Sequence, residues 1–88
     1  MAEVEIYSDR TNAAVIKHPD RNYPGILVQG DTLHALCVRA DLACGKVGRG
    51  SPAFREANEL RNTLWSLLTH YKETLGEHDI SLPFADRP

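Results

Sequence analysis

His34, Cys37 and Asp41 stand at i, i+3 and i+7 in a stretch of helical periodicity, along one side of the helix. Nucleophilic catalysis asks for a thiolate, a base within hydrogen-bond reach and a group that orients the base, and helical neighbours three or four apart nearly touch. A small cysteine-dependent enzyme using Cys37 with His34 is therefore one reading. The plainer reading packs Cys37 in the core and leaves His34 and Asp41 at its wet margin. Apolar surroundings raise a thiol's pKa and make it inert, and no oxyanion-hole element is visible. The plainer reading is preferred, and no catalytic residue is expected.

Cys37, Cys44, His34, His70 and His78 are the places to seek a metal. Their spacings match none of the paired Cys and His patterns of structural zinc sites, so neither metal nor cofactor is expected. The run Gly45 to Gly50 is too glycine-rich for regular structure, and with Lys46, Arg49 and Gly50 before a helix it is a candidate anion site. It lacks the phosphate-loop arrangement, and the plainer reading is a connector kept soluble by two cations. Arg55 and Arg61 would extend the basic set toward nucleic acid, but Glu56 and Glu59 interrupt it, and nucleic acid is not an expected partner.

Trp65 lies about 100° from the centre of its helix's apolar stripe, on the margin that carries Phe54, Arg61 and Lys72. Tryptophan and arginine at a rim are enriched in interface hot spots. Trp65, Arg61 and Phe54, with Val38 and Leu42 from the preceding helix, form the candidate interface. The plainer alternative has Trp65 closing the core against the tail, with Phe84 as its mate.

The element that must position most of these residues is a helix over 31–44. Leu33, Leu36, Cys37, Ala40, Ala43 and Cys44 form one stripe, and Ala35, Val38 and Leu42 fall opposite, so this helix is expected to be sandwiched. Asp31 can cap its start, and Gly45 can close it. A second helix over 52–75 has Ser51 as cap, Pro52 in its first turn and a stripe of Ala57, Leu60, Leu64, Leu67, Leu68, Tyr71 and Leu75, with Gly76 as its end. A short loop between two helices favours an antiparallel hairpin. Before it, residues 3–7 alternate, 8–12 are turn-forming and 13–18 read as a second strand; Ile26–Val28 is a third strand or a buried lead-in to the helix. The tail, 80–88, alternates again and is expected to return along the body as a tie or edge strand, frayed at Asp86–Pro88.

The expected fold is thus α+β, with a small antiparallel sheet of two or three strands packed on an antiparallel two-helix hairpin. Eighty-eight residues, 42% of them apolar and 25% charged, suit a single soluble domain over 1–88 with a small core. Its net charge of −2 gives no pull toward nucleic acid or anionic lipid. The sequence has no run of the ~18–20 apolar residues that span a bilayer, and MAEVEIYSDR lacks a signal peptide's layout. A cytoplasmic place and no membrane are expected. Cys37 and Cys44, two turns and about 10 Å apart on one helix, are too far apart for a disulfide.

Arg21-Asn22-Tyr23-Pro24-Gly25-Ile26-Leu27-Val28-Gln29-Gly30-Asp31-Thr32-Leu33 resembles a motif, R-x-[FY]-P-G-x-L-V-Q-G-D-x-L, of a family of short bacterial proteins of unknown function. The resemblance implies two leading strands, this motif, two helices and a short apolar tail. It also implies a bacterial, stand-alone protein and transfers no catalytic residue. By analogy, such proteins often serve as immunity or antitoxin partners. The expectation is a non-enzymatic interaction module, acting as a homodimer or on a protein partner; the alternatives are the Cys37 enzyme and an anion or nucleic-acid binder at Gly45–Gly50.

Overall fold

The structure, a computed structural model, describes residues 3–86. Three strands, β1 (Glu5–Ser8), β2 (Ala14–Lys17) and β3 (Gly25–Leu27), precede two helices, α1 (Gly30–Val47) and α2 (Phe54–Glu77). The strands make one antiparallel sheet in the order β1-β2-β3, so the third strand does form. Glu5 faces Lys17 and Ile6 faces Ile16; the register then slips before Ser8, leaving Tyr7 as the extra residue of a bulge. Thr11 folds the first turn, its hydroxyl accepting from the Ala13 N–H at 3.2 Å and donating to the Ala13 carbonyl at 2.8 Å. After β2, the Asp20 N–H donates to His18 Nδ1 at 3.0 Å and the Arg21 N–H to the His18 carbonyl at 3.1 Å, which turns the chain back toward β3.

The helices run antiparallel. Gly30, at the start of α1, lies against Tyr71 near the end of α2, whereas Asp41, further along α1, meets Trp65 and Arg61 earlier in α2. Their shared line is thin: among the described residues the buried apolar side chains are Cys37, Ala40, Cys44 and Leu68. The architecture is α+β, a three-stranded sheet beside a helical hairpin.

The layering differs from expectation in one respect. Among the described residues, close backbone contact links α1 with α2 and each strand with its neighbour, but no strand with a helix. Leu42 on the far side of α1 stays exposed, as do Ile6 and Leu27 of the sheet, so α1 is not sandwiched. Val38, expected on that far side, is also exposed but borders the cavity between the helices and the tail. A sheet of 3- and 4-residue strands is too short to span two faces of an 18-residue helix.

The helix ends also move. Asp31 is not the cap: Gln29 takes that position with an extended backbone, and the Asp31 carboxylate instead accepts from the Thr32 N–H at 2.9 Å. Gly45 lies inside α1, which continues to Val47 and ends at Gly48, where φ is +76°. Ser51 does accept from the Ala53 N–H at 3.2 Å, but α2 begins at Phe54. It passes through Gly76 and stops where Asp79 takes φ +56°. There the Ile80 N–H donates to the Leu75 carbonyl at 2.9 Å and the Asp79 N–H to Gly76 at 3.3 Å, the paired bonds of a Schellman stop with aspartate in place of the usual glycine. The tail after it is irregular rather than a strand. Of its expected frayed end, Asp86 is held by Lys72, while Arg87 and Pro88 lie outside the described residues.

Candidate functional site

Asp41 is the polar centre of one side of the hairpin. Trp65 and Arg61, one turn apart on α2, both reach across to it: Trp65 Nε1 donates to Asp41 Oδ1 at 3.0 Å, and Arg61 Nε lies 3.9 Å from the same oxygen. Arg61 also donates to Asn58 Oδ1. The tail closes this side. Phe84 stacks on His34, centroids 4.3 Å apart and planes 3° from parallel, and Lys72 Nζ pairs with Asp86 Oδ1 at 2.6 Å. Between α1, α2 and the tail lies a cavity of about 540 Å³, walled by His34, Val38, Asp41, Trp65, Leu68 and Asp86 among others.

Cys37 lies on this helix one turn from both His34 and Asp41, but it is wholly buried. Burial pushes its thiol up, and the negative charge of Asp41 adds to the push. The aspartate that could orient a base thus holds the sulfur in its neutral form, the reverse of what a nucleophile needs. The His34 ring is engaged with Phe84. Both cysteines are free thiols, and among the described residues no three His, Cys, Asp or Glu side chains converge as metal ligands would.

The other side of the hairpin is different in kind. Leu60, Leu64, Leu67, Tyr71 and Thr74 follow one another along α2 at spacings of four and three, and Leu33 and Leu36 of α1 lie beside them. With Ile26 and Val28 at the sheet end, all of these except Leu60 bound an apolar groove of about 530 Å³. Two of its leucines remain in water, Leu67 at 53% exposed and Leu36 at 42%, while Leu33, Leu64 and Leu75 are half-buried. Leu60, a turn earlier on α2 and outside the groove, is 60% exposed. The tail is fixed on the opposite side and leaves this one uncovered.

The residues singled out from the sequence therefore scatter. Trp65 and Arg61 are half-buried and turned to Asp41, with Phe84 serving His34 rather than Trp65. Phe54 is half-buried beside Arg61 and Arg49 at a smaller hollow that also meets Asp41 and Gly48. Val38 is exposed at the cavity that Trp65 also walls, and Leu42 is exposed on the outer side of α1. Lys46, Arg49 and Gly50 are exposed, and of the three only Arg49 borders that hollow. The groove of Leu36, Leu64 and Leu67 was legible only as part of a wide stripe. Leu60, Leu64, Leu67 and Tyr71 repeat at intervals of four and three, but so do Leu64, Leu68, Tyr71 and Leu75, so spacing shows two seams and only the crossing of α1 tells them apart.

These features define a small α+β protein whose helical hairpin has one side closed by its own tail and one side apolar and open. The chain belongs to DUF6959, a family of unknown function, whose model matches residues 1–84. No curated protein and no solved structure matches it. The segment Arg21–Leu33 that carries the sequence resemblance builds the joint between β3 and α1, where Gly30 meets Tyr71. Among the described residues, no helix is long and apolar enough to cross a membrane.

Proposed function

We propose that this protein is a non-catalytic interaction module whose working surface is the open side of the hairpin, centred on Leu36, Leu60, Leu64 and Leu67. One observation carries the reading. The chain exposes 7260 Å² for a mass of 9.8 kDa, whereas a compact monomer of that mass exposes about 5,200 Å². The difference, about 2,000 Å², exceeds the ~800 Å² that each partner loses in a standard protein interface. Exposed Ile26, Leu36 and Leu67 are part of it and line the groove together, and contiguous apolar surface of that kind marks contact sites. The buried, protonated Cys37 and the engaged His34 leave the tail side without an activated nucleophile, which favours binding over cysteine chemistry.

Native mass spectrometry of the untagged protein isolated from its own cells tests this reading. The expected spectrum holds the chain in a complex with another polypeptide, either a second copy or a different protein. A folded monomer, free of any protein partner at the concentrations found in those cells, would contradict it.

A further inference from the structure

We infer that the occupant of the open side is a second copy of this chain, docked through Leu36, Leu60, Leu64 and Leu67 so that two hairpins close into a four-helix bundle. This rests on the interaction reading above and adds the identity of the partner. The area is the first argument: the chain as a whole exposes about 2,000 Å² more than a compact monomer, above the ~1,000 Å² per chain at which obligate homodimers begin. The groove's exposed Ile26, Leu36 and Leu67 are part of that excess. The second is self-complementarity. A two-fold axis sets a patch against itself, so charge at its centre would meet like charge. The groove's lining is Ile26, Val28 and leucines, with His70, Tyr71 and Thr74 toward one end and no acid, lysine or arginine among its lining residues.

The third argument is spacing. A helix in a four-helix bundle has two neighbours and needs a seam for each. In α2 the line through Arg61, Leu64, Leu68 and Leu75 serves α1, and Leu60, Leu64, Leu67, Tyr71 and Thr74 repeat at the four-three interval that knobs-into-holes packing uses. The chain's own tail cannot serve as the second neighbour. Phe84 on His34 and Asp86 on Lys72 hold it on the opposite side.

Light scattering coupled to size-exclusion chromatography, on the full chain and three variants, tests the inference. Wild type is expected at twice the 9.8 kDa chain mass near 20 μM. Leu67→Glu, which buries an unpaired carboxylate in each copy, is expected to weaken the dimer by about 100-fold or more and elute at the single-chain mass. Leu42→Glu, equally exposed but on the outer side of α1, is expected to stay dimeric. Leu67→Ser keeps the test alive should the glutamate variant lose its helical circular dichroism; it too is expected to raise the dissociation constant. Wild type at the single-chain mass up to about 100 μM overturns the inference, as does a dimer broken by Leu42→Glu and untouched by both Leu67 variants. The two readings fail separately. A monomer that holds a different protein through Leu67 removes the second copy and keeps the interaction module; a monomer that holds nothing there removes both.

Discussion

At the residue scale, Gly30 shows how a side chain far along the chain dictates a backbone position. A Cβ built there would run into the far end of the Tyr71 ring, so a larger residue at the start of α1 forces that ring to move. Gly30→Ala is expected to destabilise the fold by about 1–3 kcal/mol, read as a lower urea midpoint, and Tyr71→Leu is expected to recover part of the loss. Cys37 makes a prediction in pH. Burial, then Asp41, raise its thiol in the folded state, so the unfolded chain ionises first. The neutral thiol's contribution is full below the ordinary thiol value of about 8.5 and is lost as pH rises from there toward the raised one. The urea midpoint should therefore fall from pH 7.5 to pH 10 by more in wild type than in Cys37→Ala. A thiol reagent at neutral pH should label Cys37 only as fast as the protein opens. Rapid labelling of folded protein would revive the enzyme reading.

At the scale of elements, what could be read in advance was what is local. The alternation of Glu3 to Tyr7, the turn chemistry of residues 8–12 and the helical periods all act over a few neighbours, and the strands and helices they specify are present. Helix ends were less legible. Gly45 and Gly76 look like stops, yet a glycine interrupts a helix only where the chain needs a left-handed residue, and that need falls at Gly48 and Asp79. An aspartate at φ +56° is less comfortable than a glycine, so Asp79→Gly is expected to stabilise the protein by roughly 0.5–1 kcal/mol, seen as a higher thermal midpoint. Which half of a wide apolar stripe faces its partner was not legible at all. Leu68 is wholly buried and Leu67, its neighbour, is 53% exposed; that division is set by where α1 crosses, a contact between residues some thirty positions apart. The same holds for Trp65, whose partner Asp41 no local pattern announces.

At the scale of the molecule, the dimensions are those of a chain that has not finished burying itself. Its radius of gyration is 15.6 Å, against about 12 Å for a compact domain of 88 residues, and it extends 50 × 30 × 23 Å. The sheet stands beside the hairpin, the tail closes one flank, and the leucine flank is open. A protein with so thin a core gains stability from whatever covers that flank, and if the cover is a second copy its stability depends on its own concentration. Thermal unfolding of the purified full chain across a hundredfold range of concentration measures this directly. A two-state dimer should gain about 2.7 kcal/mol over that range and show a midpoint about 5–10 °C higher at the concentrated end. A midpoint that stays fixed over the whole range would mean that the open flank is not covered by a second copy of the chain.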